Sequence, residues 1–126
     1  MRKTRKAFTM LELTFVIVII GILSAIAIPK FAATRDDAII TKGRSTVAAL
    51  RSAIATARQK RILKGDFTDI SGSDAAGLIE YGLSDEWSRS GDTFTFTAPD
   101  GSTCAFKVEN NKLKKGTCGV SGMNDL

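Results

Sequence analysis

The sequence predicts an α+β protein in which one long amino-terminal helix packs on a three-stranded antiparallel β-meander. Three observations carry this expectation. An apolar run with a single charge, Glu12, fills residues 8–28 and passes into an amphipathic helical pattern. From Thr93 the period changes to two, the spacing of a half-buried strand. Two strong turn signals then cut the alternating stretch into three pieces.

The helix comes first. Residues 8–28 read FTMLELTFVIVIIGILSAIAI, about 31 Å as an α-helix and enough to cross the hydrocarbon core of a bilayer. A carboxylate there costs a few kcal/mol, about 3 on insertion scales, so Glu12 is a functional candidate. Beyond Pro29, Ile40, Val47, Leu50, Ile54 and Ala57 follow helical steps on one face, and the alanines from Ala48 to Ala57 add propensity. The spacing predicts one helix from about Thr9 to about Leu63, stopped by Lys64 and a left-handed Gly65. Pro29 has no N–H for the carbonyl of Ala25, so a kink belongs there. Gly21 weakens the helix upstream, and the stretch between them is the place to bend.

Residues 65–92 read as a polar, glycine-rich loop region. A short helix is expected over residues 73–81, capped by Ser73 and stopped by Gly82, with Leu78, Ile79, Leu83 and Trp87 as anchors. The meander occupies 93–118. Thr93-Phe-Thr-Phe-Thr97 alternates, Pro99-Asp100-Gly101 turns, Ser102 to Val108 alternates again, and Asn110-Asn111 turns into the last strand. A first turn centred on Asp100 sets Phe96 opposite Cys104 and Phe94 opposite Phe106, making one aromatic face toward the helix. Residues 119–126 form a tail.

Pairing Val108 with Leu113 leaves Cys104 opposite Thr117. One extra residue near Gly116, a bulge, brings Cys118 opposite Cys104. A Cys104–Cys118 bridge is therefore expected, with two separate buried thiols as the alternative.

Composition narrows function. The 126 residues suit one small domain beside a membrane segment, and the formal charge is +5. Arg2, Lys3, Arg5 and Lys6 supply four of the eighteen basic residues, so the chain from Phe8 carries fourteen against thirteen acidic. The rest is sorted: residues 30–64 carry nine basic and two acidic residues, and residues 65–126 carry five basic and ten acidic. Such asymmetry suits head-to-helix contacts between copies, but two solvated surfaces are the more common cause. The basic start predicts a cytoplasmic amino end and a head on the far side of the membrane, where disulfides persist.

The residues around Lys6-Ala7-Phe8-Thr9-Met10-Leu11-Glu12 resemble the class III signal of type IV pilins and type II secretion pseudopilins. The resemblance is tight to about Asp37 and architectural beyond. It implies cleavage by a prepilin peptidase between Ala7 and Phe8, N-methylation of Phe8, and a pilin-like fold. Gly21 and Pro29 fall at the family's usual glycine and proline; the usual glycine before the cut is here Ala7, a residue tolerated in relatives. The layout implied is a leader at 1–7, a transmembrane and assembly helix at 8–29, its amphipathic continuation at 30–64, and a head at 65–126. Glu12 would pair with the new Phe8 amine of a neighbouring subunit, each offsetting the other's desolvation.

By that resemblance the chain is a structural, non-enzymatic subunit of a type II secretion pseudopilus or a type IV pilus-like filament. Its partners are further copies of itself, the peptidase, and an inner-membrane platform with its ATPase. It would sit as a single pass in the bacterial inner membrane with a periplasmic head, and the short head favours a pseudopilin. A filament for DNA uptake is an alternative. So is a soluble disulfide-bonded binding domain released after Ala27, because Ala25-Ile26-Ala27 also fits an ordinary signal site. With no histidine and no nucleophile or phosphate-loop pattern, an enzyme is not expected. Cofactors are not expected either. Asp85, Glu86, Ser90 and Asp92 could line a calcium loop, as in some major pseudopilins, but their spacing is not diagnostic and a solvated acidic loop is the favoured reading. Arg58, Lys60, Arg61 and Lys64 cluster at the helix end without interleaved aromatics, so direct nucleic-acid binding is not expected.

Overall fold

The computed structural model describes residues 7–79 and 82–126. The basic start, and the expected end of the short helix at Tyr81, lie outside the described residues. The chain forms two compact units, one ending at Arg35 and the other running Asp36–Leu126. The first helix, α1 (Met10–Leu63), contributes to both.

Within the first unit the helix is apolar around its whole circumference and passes through Gly21 and Pro29 with helical assignment throughout. Hydroxyl residues along α1 back-bond to the turn before them, Thr14 to the Met10 carbonyl at 2.8 Å and Thr34 to that of Lys30 at 2.9 Å. Such bonds let a threonine sit in a helix without an unpaired hydroxyl.

The second unit is α+β. Gly43, Val47, Leu50 and Ile54 form the buried stripe of α1, with Ile40 and Ala57 half-buried at its ends. The helix closes with a Schellman motif. Gly65, at φ 79°, donates to the Ile62 carbonyl at 2.9 Å, and Asp66 donates to that of Arg61 at 2.9 Å.

A one-and-a-half-turn helix, α2 (Gly72–Gly77), follows. It starts earlier than expected because Ser71, not Ser73, is its cap. The Ser71 hydroxyl accepts from the Asp74 N–H while the Asp74 carboxylate accepts from the Ser71 N–H at 3.0 Å. That reciprocal box satisfies two N–H groups where a cap at Ser73 would satisfy one. Since α2 ends at Gly77, Leu78 falls after the helix and is 40% exposed, against its expected role as an anchor. Trp87 is buried, and Ile79 and Leu83 are half-buried.

The sheet has four strands, one more than the sequence predicts: β1 (Trp87–Ser90), β2 (Thr93–Thr97), β3 (Thr103–Glu109) and β4 (Lys112–Cys118), antiparallel and in sequence order. The loop region expected over residues 65–92 therefore contains both α2 and β1. The strand missed is the short edge strand, whose Trp87-Ser-Arg-Ser90 has one buried residue and no alternation to signal it. Its tight turn through Gly91, at φ 59°, makes the hairpin.

Elsewhere the register is the expected one. Phe94 pairs with Phe106 and Phe96 with Cys104. Val108 pairs with Leu113, and Asn110 and Asn111 both take the positive φ that a two-residue hairpin turn of this hand requires. A bulge between Cys104 and Phe106 then sets Cys104 opposite Cys118, and the two form a disulfide.

Phe94, Phe96 and Phe106 are buried with Leu50, Ile54 and Val47 of α1 in one core. Val120 and Met123 of the tail complete it. The tail is held from outside by two arginines of α1. Arg44 binds Asp125 through both nitrogens, at 2.6 and 2.9 Å, and also donates to the Gly122 carbonyl. Arg51 donates to Leu126 O at 2.8 Å.

Candidate assembly site at the helix amino terminus

Thr9 stands immediately before α1 and Glu12 occupies its first turn. The Thr9 N–H donates to Glu12 Oε2 at 3.1 Å, and the Glu12 N–H donates to Thr9 Oγ1 at 3.2 Å. These two bonds make a capping box, which satisfies two of the N–H groups that a helix start leaves without partners. A negative side chain is also favoured there by the helix dipole. This local role of Glu12 stands beside the assembly role expected from the sequence and was not itself expected. The signal was present, since Thr-Met-Leu-Glu before an apolar run has capping-box spacing.

Ala7 and Phe8 precede the helix, and Phe8 is 89% exposed. Phe8 and Glu12 lie four residues apart in the chain, both open to partners. From Met10 to Ile28 the large apolar side chains are exposed; Phe15 is 65% and Leu23 61% exposed. Among the described residues α1 is the one helix long and apolar enough to cross a membrane, and its most apolar window has no residue buried in this chain. An α-helix carries its backbone hydrogen bonds within itself, so this segment needs only an apolar environment for its side chains. Nothing lies within 4 Å of the Gly21 α-carbon's open side. Gly21 and Pro29 both lie inside the helix.

The residues considered for calcium are not gathered. Asp92 Oδ1 accepts from the Gly72 N–H at 2.6 Å, tying the β1–β2 turn to α2. Glu86 faces Lys42 at 4.0 Å, and its carboxyl is held below the usual range chiefly by hydrogen bonding from Ser84. Asp85 sits in the turn before β1, and Ser90 pairs with Thr93. Among the described residues, no three acidic, histidine or cysteine side chains form a group that could hold a metal ion. The four residues lie close together in sequence, but the turn before β1 and the β1–β2 hairpin place them in different surroundings.

Residues 2–28 match the family model of the prokaryotic N-terminal methylation motif. Over 100 residues the chain is 40% identical to the type IV narrow pilus major component PilA5 of Thermus thermophilus, covering 73% of this chain and 86% of that protein. The chain belongs to the type IV pilin family. Its similarity to the type IV major fimbrial protein FimA of Dichelobacter nodosus is 32% over 97 residues, covering 66% of this chain and 62% of that one. A fimbrial protein of Pseudomonas aeruginosa is 43% identical over 63 residues, half of this chain and 38% of the relative's length. No solved structure matches. Type IV pilins are structural, non-enzymatic filament subunits, and the family's methylation motif is the segment that here holds Ala7, Phe8, Glu12 and Gly21.

Proposed function

We propose that this type IV pilin is a subunit of an extracellular pilus, held in the inner membrane by α1 until it is packed into the filament through the same helix. The observation that carries this reading is the apolar half of α1, whose side chains find no cover in their own chain. A segment of that kind needs lipid first and other helices afterwards. The similarity to a pilus major component along most of that relative's length supports a pilus over other pilin-like filaments.

In this account a prepilin peptidase cuts between Ala7 and Phe8, and the new Phe8 amine is N-methylated. The amine of one subunit then pairs with Glu12 of its neighbour. Glu12 can do this while capping its own helix, since the Thr9 N–H takes Oε2 and Oε1 stays available. A wrong register would leave a charge buried and unpaired, which costs several kcal/mol, about 3–5 for a broken buried pair. The pair therefore selects one packing. Gly21 and Pro29 supply the give that packing a long helix into a curved lattice requires. An inner-membrane platform and its ATPase would lift subunits out, leaving heads on the far side of the membrane.

A subunit of a type II secretion pseudopilus is the second reading, favoured by the small size of the Asp36–Leu126 unit. Deletion of the gene separates the two. Loss of sheared surface filaments containing this chain means a pilus; loss of protein secretion with no surface filament means a pseudopilus. Within either, Glu12→Ala or Glu12→Val is expected to insert and be cleaved yet fail to enter filaments. Normal filament yield from either variant would overturn the role given to Glu12.

A further inference from the structure

Past Glu12, α1 carries no charge until Lys30, and Arg35 follows five residues later. Both side chains are exposed, and Phe31 between them is 74% exposed. Neither cation forms an ion pair among the described residues. Their places along the helix follow from the apolar run that ends at Ile28. With that run in the hydrocarbon core, the headgroup layer beyond it is about 5–7 Å deep. The Lys30 α-carbon then stands about 3 Å past Ile28, and that of Arg35 about 10 Å past it. Side chains on a helix lean toward its amino end, here back toward the bilayer. A long arginine side chain reaches back about 5 Å, one turn, so the Arg35 guanidinium comes into the layer that Lys30 already occupies. Asp36 and Asp37 come next in the chain, but their side chains are too short to follow.

We propose that Lys30 and Arg35 bind the phosphates of anionic phospholipids, with Phe31 marking the hydrocarbon edge beside them. The inference rests on the reading of α1 as a membrane anchor and names the lipid class that the anchor selects. The two cations lie about 140° apart around the helix, so each meets a separate headgroup. Arginine suits a phosphate through its planar fork of donors, and lysine as a point charge. A zwitterionic headgroup offers the same phosphate but carries a cation of its own, so a net negative one is preferred. Phe31 leans the same way, and its ring meets acyl chains where the apolar run ends. Such a collar fixes the depth at which the subunit is stored. Entry into a filament has to exchange both headgroups for protein or water.

The full-length chain, purified in detergent and reconstituted in vesicles of phosphatidylcholine and phosphatidylglycerol, tests this. Phe31→Trp puts a fluorophore at the contact, and the unsubstituted chain, whose one tryptophan is Trp87, gives the background. The association constant drawn from quenching should be at least about fivefold higher for brominated phosphatidylglycerol than for brominated phosphatidylcholine. Adding Lys30→Gln and Arg35→Gln to that chain should bring the two lipids within about twofold of each other, and either substitution alone should remove part of the preference. Equal quenching by the two lipids before those substitutions, or a preference that survives both, would overturn the contact while leaving the anchor in place. No quenching by either lipid would mean that the segment stays out of the bilayer, and the anchor reading would fail together with this contact.

Discussion

Gly43 of α1 lies against the ring of Phe96 so closely that a β-carbon at position 43 would come within 2.8 Å of Cε2 and 2.9 Å of Cζ. The helix approaches the sheet at this glycine because no side chain stands between them. Alanine there would gain about 1 kcal/mol of helix propensity and lose about 1–3 kcal/mol to overpacking against a buried ring.

A net loss follows for Gly43→Ala, and a larger one for Gly43→Val. Phe96→Leu should recover part of the Gly43→Ala loss, since the smaller side chain vacates the contested space. Thermal melting of the four species in detergent gives the coupling directly. Additive effects would mean that the ring shifts freely and the close approach is unimportant.

The Cys104–Cys118 bridge spans 14 positions in sequence. Closing a loop of that size is worth about 3 kcal/mol in the chain-entropy model. Denaturant unfolding with and without reductant should show a loss of that order, and Cys104→Ser with Cys118→Ser should abolish the reductant effect. An unchanged midpoint on reduction would show that the bulged β3–β4 pairing holds without its bridge.

Asp125 is held down to about 2, chiefly by its hydrogen bonds from Arg44. A carboxyl depressed in the folded state contributes stability at pH values above its unfolded value, near 3.9. That contribution is lost as the pH falls through the folded value. Amide protection factors in residues 119–126, taken relative to the intrinsic exchange rate at each pH, should therefore fall between about pH 4 and pH 2. Asp125→Asn should exchange faster at neutral pH and lose the pH dependence in that window. A tail equally protected at pH 2 and pH 5 would mean that Val120 and Met123 hold it alone.

Glu12 has two roles that one substitution can separate. Glutamine keeps the capping geometry, since the amide oxygen can accept from the Thr9 N–H, but it carries no charge for a neighbour's amine. Glu12→Gln is expected to be inserted and cleaved and to enter filaments poorly, whereas Thr9→Val, losing the cap worth about 1 kcal/mol, should still assemble measurably. Wild-type assembly of Glu12→Gln would place the importance of this residue in the cap.

The sequence made the register of β2, β3 and β4 legible because Phe94, Phe96, Cys104, Phe106, Val108 and Leu113 alternate strictly, and a slip of one residue would expose all of them. It also located the bulge, since only one extra residue brings Cys118 opposite Cys104. The strand β1 was hidden because an edge strand can be polar on both faces, and Ser88, Arg89 and Ser90 are all exposed. Gly43 was unreadable for a different reason: an absent side chain leaves no periodic mark. Ser71 lost to Ser73 in the sequence reading although Asp74, three residues on, completes a box only with Ser71. At the candidate site, Ala7, Phe8, Glu12, Gly21 and Pro29 are proposed from their place in the signal pattern, while the Thr9 partner of Glu12 was overlooked beside a more unusual feature, a charge in an apolar run.

The most direct test of the whole account is the intact mass and amino-terminal sequence of the protein extracted from membranes of cells that make it. An N-methylated chain beginning at Phe8 is the expected result. A soluble chain beginning at Ile28 would contradict it, because the helix would then have been an export signal and the head a free binding domain.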